Sequence, residues 1–236
     1  MALASTEEVA VRVLGREIAI RVFSPGAGEL PLLVAHDGPE YDERAGLTRH
    51  AAAMIERDEL PPFRVALLPP GERDEWYSAS AAYGRALCQR ILPALRTQLE
   101  VAGRPVGIGA SLGALALLQA QRAWPGSFAG LFLQSGSFFL PRHDRHESRF
   151  PRYDRVVRFV RGVIRSGSHA DPVPVMMTCG SEEENIHNNR QMVAALRAQG
   201  YDATLVEVPE GHDFEGWGEV LEPHLTRLLA SLWGSP

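Results

Sequence analysis

A serine flanked by small residues lies near the middle of the chain, in the segment Gly107-Ile-Gly-Ala-Ser-Leu-Gly113. The pattern Gly-x-Ser-x-Gly around Ser111 is typical of a nucleophilic serine on a sharp strand-to-helix turn. Small residues at 109 and 113 would let the strand and the helix approach closely. The backbone N–H of Leu112, at the start of the helix, would then point at a developing oxyanion. The motif therefore predicts nucleophilic chemistry at Ser111 with Leu112 as an oxyanion donor.

Two other interpretations of this motif have to be weighed. A chain with 22 glycines can contain the pattern by chance, as a purely structural turn. The apolar strand before Ser111 and the apolar segment Leu112–Ala123 after it favour the nucleophile instead, because this is the context that such a turn requires. A dinucleotide-binding loop is excluded because Leu112 stands where the third glycine of Gly-x-Gly-x-x-Gly should fall.

A nucleophilic serine needs a general base and an acid, which follow it along the chain in the order acid, then histidine. His212 follows the last apolar run on a loop that Gly211 lets turn tightly. The acid is expected after the run Val173–Met177, where three glutamates stand in a row: Glu182, Glu183 and Glu184. Glutamates that open a helix also complement its dipole. These residues alone therefore leave the identity of the acid open.

The elements that would position these side chains follow from the hydrophobic pattern. Val9–Val13 and Ile18–Phe23 alternate apolar with polar residues and predict an antiparallel hairpin. Six apolar runs follow, at Leu32–Ala35, Val65–Leu68, Val106–Ile108, Leu131–Leu133, Val173–Met177 and Ala203–Val208. Helical segments are expected at Ala45–Arg57, Ala81–Leu99, Leu112–Ala123, Tyr153–Arg165, Asn185–Gln199 and Trp217–Leu232. This alternation predicts a mostly parallel sheet with helices on both faces, the α/β-hydrolase fold, as one domain over residues 1–236.

The composition of the chain argues against several kinds of partner, location and cofactor. A net charge of −5 gives no indication of a nucleic-acid partner, and no apolar run approaches the roughly 20 residues of a membrane helix. We expect no signal peptide and a cytoplasmic protein with two free thiols, Cys88 and Cys179. His143 and His146 lack a third ligand nearby, so we expect neither a metal nor another cofactor.

Several segments resemble the enterochelin (ferric enterobactin) esterase-like branch of the esterase D family, within the α/β-hydrolase superfamily. The resemblance covers most of the chain from about Leu32 onward. It rests on the segments His36-Asp-Gly38, Glu75 with Leu92-Pro93, the stretch from Val106 through Leu118, Trp124-Pro-Gly-Ser-Phe128, Leu133-Gln-Ser-Gly-Ser-Phe-Phe139 and Gly211-His-Asp-Phe-Glu-Gly-Trp217. The Gln-Ser-Gly-Ser and Gly-His-Asp blocks are much more specific than Gly-x-Ser-x-Gly.

The resemblance implies a serine esterase acting on a small-molecule ester, with a siderophore ester as one expectation. It implies Ser111 as nucleophile, His212 as base, and the fourth position of Gly180-Ser-Glu-Glu183 as the acid. The family's second oxyanion amide comes from the loop just after Asp-Gly. This chain departs there, since Pro39 follows Gly38 and has no N–H. We therefore expect either that Gly38 or Glu40 supplies that amide or that the oxyanion hole is weaker.

The substrate-binding residues are predicted from their positions beside the catalytic loops. Trp76, Phe138 and Trp217 are expected to line a pocket, although aromatic residues in such places are often simple core. Arg142 belongs to an arginine-rich stretch that extends to Arg165 and is expected to form a cationic rim for an anionic acyl group. The alternative is a solvated helix face, because valines at helical spacing form an apolar stripe opposite the arginines.

Two rival functions remain at this point. An acyltransferase would use the same three residues and admit an alcohol in place of water. A non-catalytic binding protein could retain the hydrolase shell, and Pro39 favours that alternative.

Overall fold

The computed structural model describes residues 5–209 and 211–234, and its centre is an eight-stranded sheet in the order β1-β2-β4-β3-β5-β6-β7-β8. The strands are β1 (Ser5–Val13), β2 (Arg16–Ser24), β3 (Leu32–Ala35), β4 (Arg64–Leu67), β5 (Val106–Ala110), β6 (Gly130–Gln134), β7 (Val175–Gly180) and β8 (Ala203–Val208). The β1–β2 and β2–β4 pairs are antiparallel, and all pairs from β4 to β8 are parallel.

Helices in the described residues cover both faces of this sheet. They are α1 (Gly38–Glu43), α2 (Leu47–Glu56), α3 (Arg73–Trp76), α4 (Ala81–Ala86), α5 (Leu92–Leu99), α6 (Leu112–Ala123), α7 (Tyr153–Arg165), α8 (Ile186–Ala198), α9 (Phe214–Glu219) and α10 (Leu221–Trp233). None of the described helices is long and apolar enough to cross a membrane. The mixed sheet, its amino-terminal hairpin and the flanking helices confirm the predicted fold class.

Burial on both faces explains why the central strands are continuous apolar runs. In β3, Leu32 and Val34 pack into one core together with helices α4 to α8. Leu33 and Ala35, between them in sequence, point into a second core with α2 and α10. Because side chains alternate across a strand, every position of β3 is buried and must be apolar.

The predicted strands are all present, whereas some helices differ in extent. The segment expected as one helix over Ala81–Leu99 is α4 and α5 joined by a π-helical turn at Leu87–Ile91. Pro93 lies just after this π-helical turn, as the second residue of α5. The segment expected as one helix over Trp217–Leu232 is two helices, α9 and α10. The first of them, α9, begins earlier than expected, at Phe214.

Candidate active site

Ser111 stands on a strained turn between β5 and α6. Its φ of 55° and ψ of −121° belong to a conformation that costs a non-glycine residue about 1–3 kcal/mol. The strand and helix close tightly here, because a Cβ on Gly109 would lie 2.8 Å from the carbonyl carbon of Gly113. The Ser111 N–H donates to the Gln134 carbonyl at 2.9 Å, which ties the turn to the end of β6. The strained backbone lifts the serine side chain off the carboxyl edge of the sheet.

The Ser111 hydroxyl is hydrogen-bonded to a second serine. Its Oγ lies 2.9 Å from Ser137 Oγ, and Ser137 is buried in the loop after β6. Between the described residues Ser111 and His212 there is no hydrogen bond. The nucleophile candidate therefore rests against Ser137 in this structure.

Glu183 and His212 form a short, directed pair. His212 Nδ1 lies 2.6 Å from Glu183 Oε2, and the carboxylate is 7% exposed whereas the imidazole is 40% exposed. Burial favours a raised pKa for Glu183, but hydrogen bonds from His212, from Ser135 and from the Gly180 N–H outweigh it and hold this pKa below its usual value. An ionised carboxylate only accepts, so Nδ1 carries the proton and Nε2 keeps a free lone pair. That tautomer is the one a general base needs.

The two neighbouring glutamates are placed differently. Glu184 is 77% exposed and pairs with His146 Nε2 at 2.8 Å, and Glu182 is also exposed. Of the three glutamates left open by the residue pattern, Glu183 is the one that the structure joins to His212.

Ser135 holds the other oxygen of Glu183 and was not singled out from the sequence. Its Oγ donates to Glu183 Oε1 at 2.7 Å and accepts from Trp217 Nε1 at 3.0 Å. The Trp217 ring also stands edge-on to His212, with 5.1 Å between ring centroids. Trp217 is buried, which corrects the expectation that it lines a substrate pocket: its N–H donates to Ser135, and its ring packs against the imidazole of His212. The Gln-Ser-Gly-Ser block was the sequence signal that contained Ser135.

The backbone N–H groups expected to bind the oxyanion differ in whether they already have a hydrogen-bond partner. Gly38 is excluded, because its N–H already donates to the Leu68 carbonyl at 2.9 Å. Leu112 is the first residue of α6 and Glu40 is the third residue of α1, and such N–H groups have no partner within their helix. The two helix starts are adjacent, since a Cβ on Gly113 would lie 3.2 Å from His36 Cβ. Leu112 and Glu40 therefore remain the candidates for the oxyanion donors.

A buried histidine ties the β3 loop to the helix that follows Ser111. His36 Nδ1 lies 3.1 Å from the Gly113 carbonyl, and its Nε2 lies 2.9 Å from the Tyr83 hydroxyl. Burial lowers the pKa of His36 to about 4, against a raising effect of the Gly113 carbonyl and with a further lowering by Arg73. The neutral ring donates from Nδ1 to Gly113 and accepts from Tyr83, so both hydrogen bonds are satisfied without a charge.

The same loop is fixed by a buried carboxylate. Asp37 has a left-handed φ of 50° and accepts two hydrogen bonds from Arg73, to Oδ1 at 2.9 Å and to Oδ2 at 3.0 Å. Bidentate pairs of this kind fix the geometry of both groups. Together with His36, this pair holds the turn that leads into α1.

The remaining predicted substrate contacts need two corrections. Trp76 and Phe138 are 3% and 0% exposed and pack in the main core, so neither lines an open pocket. Arg142 is exposed and donates to Gln191 Oε1 at 2.5 Å. The valine stripe of α7 is buried, which is what the helix-face interpretation of the arginine-rich stretch requires; the rim role of Arg142 stays a prediction.

An open cavity of about 460 Å³ adjoins the Glu183–His212 pair. It is lined by Glu147, Glu182, Glu183, Glu184, Asn185, Pro209, Gly211 and His212. Within residues 5–209 and 211–234, no group of three or more His, Cys, Asp or Glu side chains could hold a metal ion. The serine, the imidazole and the carboxylate are groups suited to acid–base and nucleophilic chemistry.

This chain is similar to known esterases in sequence and in fold. The chain is 28% identical over 208 residues to the iron(III) enterobactin esterase of Dickeya dadantii, covering 83% of this chain and 47% of that protein. The enterobactin esterase of Shigella flexneri, solved in the presence of 2,3-dihydroxy-N-benzoyl-serine, superposes with a TM-score of 0.81 at 22% identity over 98% of this chain and 61% of its own. A ferulic acid esterase gives a TM-score of 0.76 at 18% identity, covering 96% and 97%.

The chain thus spans about half the length of the curated relative it matches. The family model described as "Putative esterase" matches residues 12–228, which is most of the chain. The predicted resemblance is confirmed, and this protein belongs to that esterase family.

Proposed function

We propose that this protein hydrolyses carboxylic esters through an acyl-enzyme on Ser111, with His212 as general base and Glu183 as the acid that orients it. The observation that carries the proposal is the 2.6 Å hydrogen bond between His212 Nδ1 and Glu183 Oε2, which leaves Nε2 free to accept a proton. The strained turn under Ser111 supports it, because backbone strain of this kind persists mainly at functional sites.

The reaction runs in two stages. The Ser111 proton moves to His212 Nε2 as Oγ bonds to the ester carbonyl carbon, and the amides of Leu112 and Glu40 bind the oxyanion. The protonated His212 then gives its proton to the departing alcohol. Water, deprotonated by His212, attacks the acyl-enzyme and releases the acid while Oγ regains a proton. Throughout, Glu183 stays ionised and stabilises the imidazolium.

The test uses p-nitrophenyl esters of increasing chain length with matched variants. Ser111→Ala and His212→Asn are expected to lower kcat/KM by about 10⁴-fold or more, because each removes a group that acts as part of one unit. Glu183→Gln is expected to cost about 10⁴-fold, since an amide facing Nδ1 favours the wrong tautomer.

Controls for each variant lie nearby in the chain. Glu184→Gln removes an exposed glutamate next to Glu183, and His187→Asn removes an exposed histidine; both are expected to keep wild-type rates. A fluorophosphonate probe should label wild type and not Ser111→Ala. Undiminished hydrolysis or labelling in Ser111→Ala would refute the proposal.

The substrate class is a separate proposal that rests on the relatives. Because curated relatives are named iron(III) enterobactin esterases, we propose a siderophore-type ester or lactone as the natural substrate. Steady-state kinetics with a catecholate siderophore lactone, beside simple aromatic esters, test this. A lactone kcat/KM no higher than that of the simple esters would count against it. A cytoplasmic location is likewise proposed, supported by the free thiols of Cys88 and Cys179.

A further inference from the structure

Ser137 is placed against the reacting atom of the proposed nucleophile. Its buried Oγ lies 2.9 Å from Ser111 Oγ, and no other hydrogen-bond partner of either hydroxyl occurs among the residues that the structure describes. We propose that Ser137 is a second catalytic hydroxyl, which donates a hydrogen bond to Ser111 Oγ whenever that oxygen is without its proton. This inference rests on the proposed role of Ser111.

The backbone builds this contact and keeps it in place. The Ser137 N–H donates to the Ser111 carbonyl at 3.1 Å, so the two serines are tied by main chain as well as side chain. One residue earlier, Gly136 is held on both sides by Asn189: its N–H donates to Oδ1 at 3.1 Å and its carbonyl accepts from Nδ2 at 3.0 Å. The Ser137 hydroxyl is therefore preorganised, which is what electrostatic stabilisation requires.

The direction of the hydrogen bond follows from the chemistry. When the Ser111 proton passes to His212 Nε2, Ser111 Oγ has lone pairs and nothing to donate. Ser137 then has to be the donor. A donor 2.9 Å away stabilises charge on Oγ more strongly than it stabilises the neutral hydroxyl, because hydrogen bonds to charged groups are the stronger ones.

The same hydrogen bond serves both stages of the reaction. In acylation it stabilises Oγ between loss of the proton and completion of the bond to the carbonyl carbon. In deacylation water bonds to that carbon, the bond from carbon to Oγ breaks with its electron pair on Oγ, and His212 returns a proton to Oγ. Ser137 keeps its own proton in each stage, so it lowers both barriers without being consumed.

Burst kinetics with a p-nitrophenyl ester test the inference, since they separate acylation from deacylation. Ser137→Ala is expected to slow both rate constants by about 10- to 100-fold, with KM changed by less than about 3-fold. Ser137→Thr keeps the hydroxyl and is expected to recover most of the rate. Ser78→Ala is the matched control, because Ser78 is also fully buried and donates only to a local carbonyl, that of Asp74. Thermal unfolding of each variant shows that it is folded.

The possible outcomes separate this inference from the proposed function. Wild-type or faster rates in Ser137→Ala, beside an inactive Ser111→Ala, would overturn the role of Ser137 and leave the esterase proposal standing. A raised KM with unchanged rate constants would also overturn it, because the hydroxyl would then contact substrate rather than Oγ. Full activity in Ser111→Ala would instead defeat the proposed function.

Discussion

Replacing His36 by glutamine should change how the stability of this protein depends on pH. His36 is completely buried, neutral and hydrogen-bonded through both ring nitrogens, and its pKa is lowered from 6.5 to about 4. Above pH 6.5 neither the folded nor the unfolded chain protonates this ring. Between pH 6.5 and 4 the unfolded chain binds a proton that the folded chain does not, so the free energy of unfolding falls as the pH falls.

The size of the effect follows from the pKa difference. Each pKa unit corresponds to about 1.36 kcal/mol, so a drop from 6.5 to about 4 removes about 3 kcal/mol of stability by pH 4. His36→Gln lacks this loss because glutamine does not titrate. At pH 7 the variant is expected to be less stable than wild type by about 2 kcal/mol, since the ring stacked on Tyr77 is gone. On going from pH 7 to pH 4 the difference between the two proteins should therefore change sign and leave the variant more stable by about 1 kcal/mol.

Urea unfolding followed by tryptophan fluorescence, repeated at half-unit pH steps, measures this difference. The pKa of His50 is also lowered to about 4, chiefly by burial, but His50 is present in both proteins and its contribution cancels. His187→Gln, at an exposed site on α8, serves as control and should follow the wild-type curve at a constant offset. Parallel curves for wild type and His36→Gln would refute the assignment of a buried neutral ring.

Three further substitutions test how the fold supports the site. Gly109→Ala places a methyl group 2.8 Å from the carbonyl carbon of Gly113 and should cost about 1–3 kcal/mol of stability together with most of the activity, as measured by urea unfolding and p-nitrophenyl ester turnover. Arg64→Leu removes a buried guanidinium that binds three carbonyls and a hydroxyl at the opposite edge of the sheet; it should lower stability by about 3 kcal/mol while kcat/KM stays unchanged in the folded protein. Ser135→Ala leaves one oxygen of Glu183 with a single donor, and kcat should fall about 10-fold with little change in KM; an unchanged kcat would show that Gly180 alone holds the carboxylate.

The strands could be predicted because burial on both faces leaves little choice of residue. Each parallel strand is a short apolar run, and the predicted Leu32–Ala35 and Ala203–Val208 agree with β3 and β8 at both ends. The helices α1 and α3 were missed, since six and four residues are too few to show a helical period. Pro39 lies in the first turn of α1, where proline is accepted.

Within the site, residue types could be predicted from the sequence, and contacts across the sheet decided between them. Three adjacent glutamates are equivalent as a residue pattern; the resemblance implied Glu183, and the hydrogen bond to His212 now distinguishes it by geometry. The burial of the aromatic side chains could not be predicted either. The sequence pattern of an aromatic residue beside a catalytic loop is the same whether its side chain faces solvent or, as in Phe138, the core. Ser137 could not be identified from spacing, because its neighbour Ser111 lies 26 residues earlier, on the turn that follows another strand.

The openness of His212 bears on where an acyl group would go. With 40% of its side chain exposed, the imidazole is in contact with bulk solvent, and any acyl chain held beside it is wetted from the same side. Transfer of the acyl group to a sugar or alcohol requires that this acceptor outcompete water. The imidazole of His212 would therefore have to be covered from solvent. To obtain a transferase from this protein, one would lengthen the chain that borders the cavity at Pro209 and Gly211 so that it covers His212. The proposed catalytic side chains would stay unchanged.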